Sequence, residues 1–352
     1  MVLFFIAVVA AAFLLAYGIT AAVGPSIIVK LRKLKCGGTV LDIGPKWHLQ
    51  KGNIPIMGGF MFILGTILST VIILLSLPWV NSRLNPGYVF ADLSHWTSVL
   101  AVLGLALCCG LIGFLDDFKK VKKKRNLGLT VIQKLLLQIA AAVVFILVMR
   151  HFGLISPHIV FPFLNVTWEL PWAAYIPFMA FVIVGCVNAV NLTDGLDGLA
   201  GGVTFFVAAF FAYAALLLFL RTQVSSLMGT AALSAALCGS LGAFLIFNFS
   251  PAKVWMGDTG ALFLGAMVCG LGFAIDLPII LIPVGIVYVI ETLSDILQIG
   301  YFKLTHGKRI FKMAPIHHHF ELCGYSEKQI VVAAYLITIV FCALSAWGVW
   351  ML

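Results

Sequence analysis

The sequence predicts an all-α polytopic membrane protein, and three observations carry that prediction. Of its 352 residues, 62% are hydrophobic and only 10% charged, whereas a soluble domain carries about 25% charged residues. Ten apolar stretches meet or approach the roughly 20 residues that cross a hydrocarbon layer as a helix. The basic residues fall almost wholly in alternate connections between those stretches.

Taken in order, the stretches run approximately over residues 3–29, 55–77, 96–115, 131–149, 172–190, 199–220, 224–249, 259–275, 277–297 and 330–350. No basic residue precedes Lys30, and the first stretch is too long for a signal-peptide core, so it reads as a retained span. An even number of spans places both termini on one side. The connections after spans 1, 3, 5, 7 and 9 hold 19 of the 22 Lys and Arg, leaving Arg83, Arg150 and Arg221 on the other face. Short cytoplasmic loops collect basic residues, so both termini are expected outside and the five odd loops in the cytosol. Residues 1–352 thus read as a single transmembrane domain, with functional cytosolic loops at about 30–54, 116–134, 188–202, 248–260 and 300–328. Between spans 4 and 5, the β-branched residues Ile159, Val160, Val166 and Thr167 suggest a small external hairpin. The eight cysteines contain no C-x-x-C pair, which points to neither a disulfide framework nor zinc. The net charge of +9 is explained by topology and phosphate handling, and nucleic acid is not expected as a partner.

The same five loops hold nearly every polar cluster in the chain. Asp116 and Asp117 fall at the expected C-terminal end of span 3, where the helix dipole disfavours each negative charge by about 0.3–1 kcal/mol. A cation should offset that: the lysines that follow, a metal, or Mg²⁺ carried by a substrate. Asp197 and Asp258 precede apolar helices and could be N-caps. However, Gly195, Gly198, Gly201, Gly202, Gly257 and Gly260 surround these acids and Asp194. Glycine turns at helix N-termini bind phosphates, and a carboxylate beside a phosphate normally requires a divalent metal between them. The run Lys119 to Arg125 can serve topology, anionic lipid or phosphate. On a regular helix His317, His318 and His319 would point about 100° apart, so one shared metal is disfavoured and phosphate hydrogen bonding from a loop fits better. Glu291, Asp295 and Gln298 share one face of span 9 at i, i+4 and i+7. Ionisable groups inside a span are functional candidates, and these would also suit a transporter with a polar pathway.

Asp116-Asp117, the stretch from Asn191 to Gly202, Gly257-Asp258-Thr259-Gly260 and the stretch from Ala314 to Glu321 resemble the signatures of the polyprenyl-phosphate N-acetylhexosamine-1-phosphate transferases. The run Pro315-Ile316-His317-His318-His319-Phe320-Glu321 is similar to that of their bacterial phospho-N-acetylmuramoyl-pentapeptide branch. The resemblance extends from Lys51 to Glu321. It implies a bacterial cytoplasmic-membrane enzyme of peptidoglycan synthesis with a cytosol-facing site, forming lipid I and UMP from UDP-MurNAc-pentapeptide and undecaprenyl phosphate with Mg²⁺, and working as a homodimer. By the same resemblance Asp258, with Asp117, holds the metal. Asp116, Asp117, Asp258 and His317 make up the catalytic set, and Lys120, Lys124 and Lys134 lie near the phosphates. Lys51, Asn191, Asp194, Asp197, Trp255 and Gln298 surround the nucleotide, Trp255 standing where an aromatic ring stacks on uracil. His317 and His318 face the phosphates or the sugar. The chain departs from the pattern at Ile56, where members usually carry Thr, which removes any hydroxyl contact from that position. Two other readings stand beside this one: a sister enzyme that uses UDP-GlcNAc, and a lipid or ion-coupled transporter.

Overall fold

Nine helices among the described residues are long and apolar enough to cross a membrane, or ten if a bent pair is counted as one span. The structure, a computed structural model, describes residues 2–34, 36, 54–84, 94–123, 128–162 and 166–352. The chain is a multi-pass membrane protein. Its helices are α1 (Val2–Lys33), α2 (Gly59–Leu84), α3 (Ser94–Lys123), α4 (Val131–His151), α5 (Trp172–Thr193), α6 (Leu199–Thr222), α7 (Ser225–Asn248), α8 (Gly257–Ala274), α9 (Leu281–Val284), α10 (Ile286–Leu304), α11 (Ile316–Leu322) and α12 (Glu327–Met351). Strands β1 (His158–Phe161) and β2 (Val166–Glu169) pair antiparallel, with Ile159 opposite Trp168. That is the hairpin expected from the β-branched residues.

Helix α8 is the axis of the bundle: 89% of its apolar window is buried, against 17% for α1 and 22% for α4. Small residues make this crowding feasible, because bilayer helices associate by close backbone approach. A Cβ at Gly265 would run into the backbone of Val187 on α5, and one at Gly239 would strike the Phe13 carbonyl on α1. Several polar groups inside the spans pair with one another or with backbone, as hydrocarbon favours. Ser69 Oγ donates to the Ala12 carbonyl at 2.8 Å, Thr66 and Ser240 meet at 2.7 Å, and Thr204 and Tyr288 at 2.8 Å.

Two expected elements differ from the structure. Span 9 is not one straight helix over residues 277–297. A 3-10 turn at Pro278–Ile280 and α9 form one arm, α10 the other, and the two are bent by 80°. Pro278 and Pro283 lack backbone donors and Gly285 ends α9, which breaks the ladder where a periodic pattern reads straight through. Span 3 does not end at residue 115 either. Helix α3 continues to Lys123, so Asp116 and Asp117 lie about two turns inside it. The dipole penalty, which is confined to the last turn, does not apply to them.

At the end opposite the polar clusters, Asp276 ties the hairpin to the bundle. Its carboxylate accepts from Ser156 N at 3.2 Å and from Ser156 Oγ at 2.7 Å.

Candidate active site

One glycine decides how closely α3 meets the start of α8. A side chain at Gly113 would collide with the backbone of Asp258. With none there, Asp117, one turn further along α3, reaches the exposed N–H groups of α8. Its Oδ1 accepts from Asp258 N at 3.2 Å, and its Oδ2 from Thr259 N at 2.9 Å and Thr259 Oγ1 at 2.7 Å. Gly257 enters this turn at φ +69°, a left-handed conformation that glycine tolerates. The first turn of α8 is therefore capped from another helix. Asp258 is not the N-cap, which is Met256, and its carboxylate is left to other partners.

Those partners are cations and an amide. Asp258 Oδ2 accepts from Lys120 Nζ at 3.0 Å and from Lys134 Nζ at 3.1 Å, while Oδ1 accepts from Asn191 Nδ2 at 2.9 Å. Lys120 Nζ also contacts Asp116 Oδ2 at 2.6 Å, and Asp116 Oδ1 accepts from Leu129 N at 2.6 Å. Lys134 sits in the first turn of α4, whose start is set by a capping box between Thr130 and Gln133. Asp116, Asp117 and Asp258 can each offer an oxygen within 4.8 Å of the others. These are hard oxygen donors of the kind Mg²⁺ takes, one or two carboxylates being completed by phosphate and water, and the three charges exceed the two ammonium groups by one. The residues present fit such an ion. Beside them lies a cleft of about 440 Å³, lined by the three groups Asp116, Lys120 and Lys134 together with Asp258, Gln138 and Asn188.

Asp194 ends α5 as its C-cap. It is half-buried and does not line the cleft. Burial first, and then the charges of Asp258, Asp117 and Asp197, push its carboxyl well above the usual range. Asp197 is neither an N-cap, a place taken by Gly198, nor free. It accepts from Trp255 Nε1 at 2.9 Å and from Ala252 N at 3.0 Å, so Trp255 is fixed edge-on to it. Glu327, in the first turn of α12, accepts from Asp197 N at 2.8 Å, and Asn248 bridges Gly198 N and the Val254 carbonyl.

The histidine run is helical, as α11, and not a loop. Its three rings take separate partners, although those of His317 and His318 lie 4.2 Å apart, centroid to centroid. His317 Nδ1 meets Glu291 Oε2 at 2.9 Å, His318 Nδ1 meets Glu321 Oε2 at 2.7 Å, and His319 Nδ1 accepts from Lys312 N at 3.1 Å. His317 packs on Gly195, which brings α10, α11 and the Asp194 turn together. The amide of Gln298 is engaged with Ile310 and Phe311 backbone. Near Trp255, Ile56 N donates to the Cys36 carbonyl at 2.8 Å and Gly58 N to the Trp255 carbonyl at 2.8 Å. Lys51 and Lys124 lie outside the described residues.

All five polar loops therefore contribute to one end of the bundle. Gln138 and Glu327 are site neighbours that the sequence motifs do not single out. For Gln138 a signal existed, since it is one helical turn from Lys134; Glu327 gives none, because its target is 130 residues away.

A family model for glycosyl transferase family 4 matches residues 99–276, the span from α3 through α8. Curated relatives match almost the whole chain. A phospho-N-acetylmuramoyl-pentapeptide-transferase of Thermoanaerobacter sp. (strain X514) is 45% identical over 331 residues, covering 94% of this chain and 95% of the relative. Proteins with the same name from Caldanaerobacter subterraneus subsp. tengcongensis and Halalkalibacterium halodurans are 43% and 41% identical, covering 93% and 94% of this chain and 94% of each relative.

Proposed function

The chain belongs to glycosyl transferase family 4, among the phospho-N-acetylmuramoyl-pentapeptide-transferases, and from that premise we propose that it transfers phospho-MurNAc-pentapeptide from UDP-MurNAc-pentapeptide to undecaprenyl phosphate, forming lipid I and UMP. It is a phospho-sugar transferase. The observation that carries the finer reading is the convergence of Lys120, Lys134 and Asn191 on Asp258, beside Asp116 and Asp117, at one end of a membrane-spanning bundle. A water-facing nucleotide sugar and a bilayer-borne acceptor can meet there.

Asp258 and Asp117 are the residues that would hold Mg²⁺, with Asp116 beside them. When bound, the ion supplies positive charge against a pyrophosphate. Lys120 and Lys134 add mobile point charges at the same place. A phosphate monoester has a second pKa of about 6, so the acceptor is largely dianionic at neutral pH and requires no strong base. Its oxygen attacks the β-phosphorus, the bond from that phosphorus to the bridging oxygen breaks, and UMP leaves with the electron pair. Lysine charge is then most valuable in the transition state. Attack by Asp258 itself is disfavoured, because both its oxygens are already engaged, one by two ammonium groups and the other by Asn191. Trapping a phosphorylated aspartate with donor and no lipid would overturn direct attack.

Positive charge clustered on the odd loops supports a cytosol-facing site in a bacterial cytoplasmic membrane. The deciding assay measures UMP release from UDP-MurNAc-pentapeptide and a polyprenyl phosphate, with and without Mg²⁺, beside UDP-GlcNAc. Metal-dependent release from the first donor is the expected result. Release from UDP-GlcNAc alone would sink the substrate assignment.

A further inference from the structure

Gln138 is 1% exposed, on the buried side of α4, in a stretch that is otherwise apolar from Leu135 to Met149. It lies four residues beyond Lys134, about 6 Å further along the helix at 1.5 Å per residue, and it lines the same cleft as Asp258 and both lysines. Its orientation is fixed by its neighbour. Asn188 Nδ2 donates to the Val184 carbonyl at 2.8 Å and to Gln138 Oε1 at 2.8 Å, so Gln138 must turn its oxygen toward Asn188. Its Nε2 is then left buried with no partner among the described residues. A buried amide donor inside a span has no water to satisfy it, and unsatisfied groups of this kind require an explanation.

We propose that Gln138 Nε2 donates a hydrogen bond to a terminal phosphoryl oxygen of the lipid-borne acceptor, fixing that phosphate at the membrane side of the cleft. This rests on the transferase reading above. Two features favour the acceptor over the pyrophosphate of the donor. Asn191, which holds Asp258, is three residues beyond Asn188 on α5, and Lys134 precedes Gln138 on α4. Both steps from the carboxylates to the amide pair thus run into the bilayer region. The cleft wall on this side includes the exposed apolar residues Val131 and Leu135, a surface suited to lipid. A phosphate monoester also suits the wall chemically, since its acceptor oxygens match one amide donor in a cleft shared with Lys120 and Lys134.

The test pairs a binding assay with a turnover assay on the purified full chain. Gln138→Glu keeps an oxygen for Asn188 while replacing the donor with a carboxylate. Gln138→Met removes donor and acceptor at similar volume. Binding of a fluorescent polyprenyl phosphate should weaken about tenfold in Gln138→Met and further in Gln138→Glu, the range expected for a hydrogen bond to a charged group. The KM for the lipid should rise in parallel, with the KM for the UDP-sugar within about twofold of the parent. Unchanged lipid affinity in Gln138→Glu overturns the inference, as does a rise confined to the donor KM or a parent chain that binds no polyprenyl phosphate. If the parent binds the lipid through Gln138 but releases no UMP from either donor, the inference stands and the transferase reading fails.

Discussion

Asp258 and Asp194 are neighbouring acids with opposite surroundings: two ammonium groups and an amide converge on the first, while burial and other carboxylates press on the second. Asp258→Asn keeps the shape but loses charge toward both lysines and any metal. UMP release should fall about 100-fold, the upper range for disturbing a metal shell; full turnover would remove Asp258 from that role. Asp194 holds its proton to a higher pH folded than unfolded. The stability it contributes is therefore complete below about pH 3.9 and is lost as pH rises through the raised value. Asp194→Asn cannot ionise, so its melting temperature should gain on the parent between about pH 5 and pH 8. Parallel melting curves across that range would show that the carboxyl is not perturbed. That acids gather in the glycine-rich loops is legible in the sequence, whereas their separate hydrogen-bond partners are not. Gly257-Asp258-Thr259-Gly260 looks locally like a self-capped helix start, and only the approach of α3 reveals that Asp117 does the capping.

The packing of α3 on α8 makes this arrangement depend on Gly113. Gly113→Ala places a methyl group against the Asp258 backbone, so it should cost about 1–3 kcal/mol as overpacking and lower turnover more than stability alone explains. Gly104→Ala on the same helix meets nothing within 4 Å and serves as the control. Thermal unfolding and UMP release measured on both variants decide the matter; equal behaviour of the two would separate the site from this contact. Hydropathy foretells the nine straight candidate spans because each must be long and apolar. It misreads the segment of α9 and α10 because a Pro- and Gly-interrupted apolar run has the same composition whether straight or bent by 80°. The hairpin is legible because the β-branched residues Ile159, Val160, Val166 and Thr167 fall on its two strands.

Across the whole molecule, the five odd connections meet at one end and the hairpin stands at the other, as alternating spans require. The charge bias then predicts which end faces the cytosol. Cys323 is exposed and unbridged in the segment between α10 and α12, so it reports the orientation without any new label. A membrane-impermeant maleimide should modify it only after the membrane is opened, and Cys323→Ser should abolish that signal. Labelling of Cys323 in intact cells would reverse the topology. The clamp at the far end bears on how the chain is made. Ser156 leaves the ribosome 120 residues before Asp276, a gap of roughly 6 to 24 s at about 5–20 residues per second. Throughout that interval the hairpin has crossed the bilayer without its anchor, so docking of this end is deferred until α8 has been inserted, and any quality control acting on nascent chains meets it undocked first.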